Sequence, residues 1–143
     1  MEIAGHRIAG LGGTFEAQVW LPGSPDTGIQ SYQGFLDRLA LRPQHADIVA
    51  TKKQHALSAI YLDDYFTLAM EKADILVSHE APSCHPYGYA EIDELAHAME
   101  VKMVMHGHHH DSLNYRPEWP RLGFEAYGVA FRSIMAVNGE VIS

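Results

Sequence analysis

The residues best suited to chemistry in this chain form a histidine cluster. Four of the five residues from His106 to His110 are histidines, and Asp111 follows them. Imidazole is the commonest protein ligand for zinc, iron and similar metals, so this spacing could bring several ligands to one ion. Because side chains two apart on a strand point to one face, an extended chain here predicts His106, His108 and His110 on one side and His109 on the other.

A second histidine follows a second apolar run. Residues 75–78 are Ile-Leu-Val-Ser, and His79 and Glu80 come directly after them. The cluster itself follows the apolar run 101–105. Residues 75–105 therefore predict a strand–helix–strand unit, whose two strands run parallel and end on the same side of the sheet. Ligands of open α/β sheets bind beyond the carboxyl ends of their strands.

These two strand ends predict a metal site made of His79, His108 and His110. Three neutral imidazoles could hold Zn²⁺, Mn²⁺ or Fe²⁺ and leave positions open for water or substrate. Glu80 and Asp111 are expected to orient the rings through their other nitrogens. Two simpler interpretations stay open: a metal-buffering surface loop, and histidines that are only hydrogen-bonded polar residues.

The remaining pattern predicts an α/β fold. We expect a strand at 6–11 before a glycine turn, a short strand at 47–51, and helical structure between 55 and 72, either as one helix or as two separated at Asp63-Asp64. Apolar positions at 92, 95, 96 and 99 predict a helix. Asn138-Gly139 between two apolar runs, 128–137 and 140–142, predicts a C-terminal β-hairpin.

Composition limits the function classes. The 143 residues fit one domain spanning 1–143, with 47% hydrophobic and 20% charged residues. Ten basic and eighteen acidic residues give a net charge of −8, which argues against a nucleic-acid-binding surface and against a bare anionic substrate unless a cation is bound. The lone Cys84 predicts a reducing cytoplasm, and no run is long and apolar enough for a membrane span or a signal peptide.

Two motifs resemble those of the calcineurin-like metallophosphoesterases. Ser-His-Glu-Ala-Pro at 78–82 and Gly-His-His-His at 107–110 are similar to the last two metal-ligand motifs of that family, the second matching its G-H-x-H signature. Residues 8–15 resemble the strand and turn that follow the family's asparagine–histidine motif. The resemblance extends from about residue 6 to residue 111.

The resemblance implies a hydrolase with two metal ions, in which a metal-bridging hydroxide attacks a phosphate mono- or diester. It also implies a β-sandwich flanked by helices. By this resemblance His79 and His108 would bind one metal and His110 the other, and His109 would lie between ligands without being one. The two-metal mechanism holds ions roughly 3.5–4 Å apart.

The chain departs from the family pattern in its missing acidic ligands. The motifs D-x-H, G-D-x-x-D and G-N-H followed by Asp or Glu do not occur in it. Met1 stands where the C-terminal half of such a domain would begin, so we expect a partial sandwich and one metal rather than two. Three explanations stay open: a fragment of a longer enzyme, a split enzyme whose partner chain or second copy supplies the ligands, and a non-catalytic metal-binding or partner-binding relative.

Other candidate residues have simpler roles. Gly10-Leu11-Gly12-Gly13 is expected to be a tight turn with a positive φ rather than a phosphate loop, because it lacks the Lys-Ser/Thr of a P-loop. Cys84 lacks a recognisable base and is not expected to be a nucleophile. His85 is expected to be a hydrogen-bonded loop histidine, and surface or structural roles are expected for His6, His45, His55 and His97.

Overall fold

The computed structural model describes residues 1–41, 45–111, 113–136 and 138–142. They divide into two compact units, one made of residues 1–11 and 68–143 and the other of residues 12–67. The strands are β1 (Glu2–Ile3), β2 (His6–Leu11), β3 (Ile75–Ser78), β4 (Met103–His106) and β5 (Glu125–Gly128). The helices are α1 (Tyr32–Ala40), α2 (Ala46–Leu57), α3 (Leu62–Ala69), α4 (Ala90–Ala98) and α5 (Trp119–Leu122), with a 3₁₀ turn at Arg116–Glu118.

The first unit is built on one five-stranded mixed sheet, whose strands lie in chain order from β1 to β5. The short β1 pairs antiparallel with β2, and β2, β3, β4 and β5 are all parallel. The α/β class predicted from the sequence is therefore confirmed, as is the parallel strand–helix–strand unit β3–α4–β4. The described strands form a single sheet, so the second sheet that a β-sandwich requires is not found among the described residues.

One face of this sheet carries the core of the first unit. Leu76 of β3, Val104 of β4 and Ala126 of β5 are neighbours in register and are all buried. The predicted apolar face of α4 is buried completely, at Ile92, Leu95, Ala96 and Met99. The opposite face is more open, since Val77 is 44% exposed. The apolar run 75–78 is therefore buried except at Val77.

The second unit has its own apolar core. Buried side chains from the loop after β2, from α1, from α2 and from the segment between α2 and α3 form one cluster, with Trp20, Tyr32, Leu36 and Leu39 packed against it. The buried members are Val19, Ile29, Phe35, Ala56, Ala59 and Tyr61. Ser31 caps α1 by accepting a hydrogen bond from the Gly34 N–H at 3.2 Å.

Three sequence predictions meet their test in this region. The short strand predicted at 47–51 is wrong, because these residues lie in the first half of α2. A five-residue apolar window cannot distinguish a strand from one face of a helix. Two separate helices are found, but the break lies at residues 58–61 and not at Asp63-Asp64. Both aspartates lie in the first turn of α3, where carboxylates interact favourably with the helix dipole. The glycine turn is also confirmed: Gly13 has φ +95°, and a Cβ there would lie 2.6 Å from the Ser58 carbonyl oxygen.

The C-terminal hairpin is present, with a shorter first arm than predicted. Residues 125–128 form β5 and pair with β4, and among the described residues the antiparallel pairing consists of a bridge between Met135 and Val141 and a backbone bond from the Ile142 N–H to the Ile134 carbonyl at 2.6 Å. Backbone bonds from Ala136 N–H to Glu140 and from Gly139 N–H to Ala136 close the turn at 2.8 and 2.9 Å. Val137, within the predicted first strand of the hairpin, lies outside the described residues. Among the described residues no helix is long and apolar enough to span a membrane.

Candidate metal centre

The candidate centre lies where β3 and β4 end. Ser78 and His106 are the last residues of these strands and are neighbours in register, with Leu11 and Gly128 as the outer neighbours. His106 shares the buried face of the sheet and is only 1% exposed. The chain segments that leave this row, 79–89 after β3 and 107–111 after β4, carry the other candidate residues. We call them the β3 loop and the β4 loop.

The β4 loop is not extended. His108 and His110 have φ values of +30° and +56°, and the His110 N–H donates to the Gly107 carbonyl at 3.3 Å. The predicted alternation of His106, His108 and His110 on one side is therefore wrong, because the strand ends at His106 and the chain turns through left-handed conformations. Left-handed backbone is uncommon outside glycine and costs energy.

This turn brings three potential ligands together. Glu80, His108 and His109 each offer one ligand atom, and these atoms lie within 4.8 Å of one another. The ring of His79 meets the ring of His108 edge-on, with 4.6 Å between their centroids. The geometry thus gathers His79, His108 and Glu80 from the predicted residues, and adds His109.

His110 lies elsewhere in the turn. Its ring faces Phe131, with centroids 5.6 Å apart, and it is exposed. The structure therefore places two of the three predicted ligands, His79 and His110, outside the group of Glu80, His108 and His109, although the ring of His79 contacts that of His108. It places the predicted non-ligand His109 inside the group. Glu80, predicted to orient a ring, contributes an oxygen to the group instead.

His85 occupies the space beside His109. It is 4% exposed, and its ring is stacked on that of His109 with centroids 3.8 Å apart and planes 10° apart. Its Nε2 lies 3.1 Å from Asp111 Oδ2, and its Nδ1 accepts the Tyr87 N–H at 3.0 Å. The predicted hydrogen-bonded loop histidine is thus a buried link between the two loops. Asp111 contacts this ring rather than a predicted metal ligand. Sequence spacing gave no signal for either contact.

Several buried polar atoms near this link find no hydrogen-bond partner among the described residues. They are both ring nitrogens of His106, Nε2 of His109, Oδ1 of Asp111 and the hydroxyl of Tyr115. Buried polar groups are almost always paired, so these atoms call for partners other than the described protein atoms, such as water or an ion. Two imidazoles with a carboxylate are a ligand set of catalytic zinc centres and also suit iron and manganese, so the residues present fit a divalent ion.

Burial disfavours the charged form of three histidines in this region, His79, His106 and His109, and a metal-binding imidazole must be neutral. Burial, followed by the nearby His108, lowers the pKa of His79. Burial and the neighbouring His85 lower the pKa of His109. For His106 the same two causes lower the pKa to about 4. Burial also raises the pKa of Cys84 to about 11, so that residue is an un-ionised thiol at neutral pH and a poor nucleophile.

The β3 loop is a rigid support. Ser83 donates its hydroxyl to Asp93 at the start of α4 and accepts from Arg121 at 3.2 Å, while its N–H donates to Asp93 Oδ1 at 2.9 Å. Backbone bonds from His85 N–H to Pro82 and from Gly88 N–H to His85 close the loop at 3.0 and 2.9 Å. A Cβ on Gly88 would lie 1.8 Å from the Pro82 oxygen, so only glycine fits there.

The comparisons with known proteins give one curated relative. An uncharacterized protein of Haemophilus influenzae is 35% identical to this chain over 145 aligned positions, which cover 99% of the chain and 60% of that protein. The chain therefore spans less than two thirds of the length of the relative it matches. No profile of a known protein family matches the chain. No solved structure matches it either.

Proposed function

We propose that this chain carries the metal centre of a metal-dependent phosphoesterase, a hydrolase of phosphate mono- or diesters. The observation that carries the proposal is the group formed by Glu80, His108 and His109, with His79 against it, at the carboxyl ends of two parallel strands. The similarity of the 78–82 and 107–110 motifs to the calcineurin-like metallophosphoesterases supports the reaction class. A net charge of −8 disfavours a bare anionic substrate unless a cation is bound, which is in keeping with a metal at the site.

A bound divalent ion would lower the pKa of its water towards about 7 and supply hydroxide at neutral pH. Glu80, His108 and His109 would hold the ion, and His79 would complete or support that set. His109 brings a buried nitrogen that has no partner among the described residues, so a ligand position is ready without breaking an existing bond. The rigid β3 loop would keep Glu80 in place when substrate binds.

The proposal includes a contribution from outside the described chain. The acidic ligand motifs of the family do not occur in the 143 residues, and the relative from Haemophilus influenzae is longer than the chain. Further ligands would come from additional sequence, a second copy or a partner chain. The lone cysteine is in keeping with a reducing compartment, and we propose the cytoplasm as the site of action.

The test is hydrolysis of a bis-aryl phosphodiester by the purified chain with added Mn²⁺, alongside His108→Ala. We expect turnover that depends on Mn²⁺ and that falls by at least about 100-fold in the variant. Removing residues that only orient the ligands already lowers metal affinity or activity by roughly 10–100-fold. A matched control is His55→Ala, which changes an exposed histidine of α2 and should leave the rate unchanged.

Two results would count against the proposal. Equal turnover in the wild type and His108→Ala would show that the activity does not come from this site. Tight Mn²⁺ binding without any turnover would show that the 143 residues by themselves are a metal-binding module, which is the second function left open by the missing motifs, and that any catalysis requires the further ligands.

A further inference from the structure

We propose that His85 is a positioning residue for the metal centre: with Asp111 it fixes the ring of His109 and thereby sets the affinity for the ion. This inference rests on the proposed metal site but concerns a residue outside its ligands. His85 belongs to the β3 loop, whereas His109 and Asp111 belong to the β4 loop, so the contact joins the two loops.

The hydrogen bonds of His85 indicate which of its ring nitrogens carries the hydrogen. The Tyr87 N–H donates to Nδ1 at 3.0 Å, so Nδ1 must carry a lone pair. In the neutral ring the hydrogen then lies on Nε2, which donates to Asp111 Oδ2 at 3.1 Å. Both nitrogens are thus engaged, and His85 is not free to be a ligand itself. Its role must be exerted through the groups it contacts.

The contacts of His85 restrain His109 in two ways. The parallel stack at 3.8 Å holds one face of the His109 ring and limits its rotation. The bond to Asp111 holds the backbone two residues further along, directly after His110 with its φ of +56°. A left-handed turn of this kind persists only where surrounding contacts fix it. The His85–Asp111 contact supplies such a constraint.

The support behind His85 is built for rigidity. Ser83 is held by both carboxylate oxygens of Asp93, and Gly88 admits no side chain. His85 lies between these two anchors and is almost completely buried. The affinity of a site for its metal falls by about 10–100-fold when the residues that orient its histidine ligands are removed.

Two substitutions separate the contacts of His85. In His85→Asn, the amide oxygen can replace Nδ1 as the acceptor for Tyr87, but the donor to Asp111 and the stacked ring are lost. In His85→Gln, the longer side chain places an amide N–H near the position of Nε2 and restores the donor. His97→Asn is the matched control, because His97 likewise has a ring nitrogen in a hydrogen bond, with the Leu122 carbonyl, and packs on Phe124 away from the site.

The experiment is titration of each purified 143-residue protein with Co²⁺, followed by its visible absorption, with far-ultraviolet circular dichroism and urea unfolding of the metal-free protein as checks on folding. We expect His85→Asn to weaken Co²⁺ binding by about 10–100-fold and to alter the absorption band. His85→Gln should recover part of the affinity, and His97→Asn should bind as the wild type does. Should His85→Asn fail to fold, Asp111→Asn, which keeps the shape of the side chain, takes its place and should also weaken binding.

The outcomes distinguish this inference from the proposed function. If the wild type does not bind Co²⁺, or His108→Ala binds it equally well, the metal site itself is absent. If the wild type binds, His108→Ala does not, and a folded His85→Asn keeps wild-type affinity and absorption, only the positioning role is overturned. A loss in His97→Asn equal to that in His85→Asn would overturn it too, since general destabilisation would then explain both.

Discussion

The β3 loop and the β4 loop follow neighbouring strands of one sheet, yet they are built in opposite ways. The β3 loop closes on itself through backbone bonds, ties Ser83 to Asp93 and admits only glycine at residue 88. The β4 loop has two non-glycine residues in left-handed conformations, and Nε2 of His109 and Oδ1 of Asp111 are buried without a partner among the described residues. One loop satisfies its own polar groups, and the other leaves them available.

This difference teaches how a small α/β unit can present ligands. Ions are held best when the ligands are oriented before binding, and orientation requires fixed neighbours. The satisfied loop supplies the fixed neighbours, Glu80 and His85. The strained loop supplies His108 and His109, of which the His109 Nε2 has no partner among the described residues. We expect metal binding to depend mainly on the β4 loop and stability mainly on the β3 loop.

The largest expected effect distinguishes His109 from His110 within the β4 loop. His109→Ala should weaken Mn²⁺ or Co²⁺ binding by more than about 100-fold, because its ligand atom lies in the group with Glu80 and His108. His110→Ala should change the affinity by less than about 10-fold, because that ring faces Phe131. This is a smaller loss than the roughly 10–100-fold expected when a residue that orients a ligand is removed. Isothermal titration calorimetry of both variants measures the difference.

The reverse order of these two affinities would contradict the geometry of the turn. It would favour the ligand set predicted from the sequence, His79, His108 and His110. It would also mean that the β4 loop changes its conformation when the ion binds.

The next largest expected effect is a difference in stability between two alanine substitutions, one at a glycine of each loop. Gly88→Ala should lower the free energy of unfolding by about 3 kcal/mol or more, because the new Cβ would lie 1.8 Å from the Pro82 oxygen. Gly107→Ala should change it by no more than about 0.5 kcal/mol, because no heavy atom lies within 4 Å of an added Cβ among the described residues. Urea unfolding of the metal-free proteins measures both. Equal losses would remove the proposed contrast in rigidity.

The smallest expected effect concerns an ion pair between Arg7 of β2 and Asp74, just before β3, which serves as a reference away from the candidate site. Asp74 accepts the Arg7 backbone N–H at 2.8 Å and contacts its guanidinium at 3.1 Å. The hydrogen bonds from Arg7 lower the pKa of the Asp74 carboxyl from 3.8 to about 2. The folded state therefore binds this proton less readily than the unfolded state, and the stabilisation is present above pH 3.8 and lost as the pH falls towards 2.

Comparing wild type with Asp74→Asn isolates this contribution. The wild type should have a slightly higher urea midpoint at neutral pH, and the difference should shrink as the pH approaches 2, the folded-state pKa. Both proteins share every other titrating group, so the difference reports on Asp74. A difference that stays constant over this range would show that the carboxylate charge is not responsible.

Much of the scaffold was predictable because it depends on local patterns. The apolar runs before His79 and His106 were recognised as strands, and the period of Ile92, Leu95, Ala96 and Met99 as a helix face. Residues 47–51 were assigned wrongly, since a short apolar window fits both a strand and a helix face. The turn at Asn138-Gly139 was recognised, but the first arm of its hairpin was predicted too long, since the pairing found among the described residues involves Ile134 to Ala136 and Gly128 belongs to β5.

By itself, the sequence determined that histidines would meet at the carboxyl ends of two parallel strands, since connection handedness and strand direction follow from the order of elements. Which histidines come closest was decided by the tertiary structure. The left-handed turn at His108 and His110 moved His109 towards Glu80, and the packing of two loops placed His85 against His109 and Asp111. Such contacts depend on dihedral angles and on neighbours distant in the chain, and neither is encoded in residue spacing.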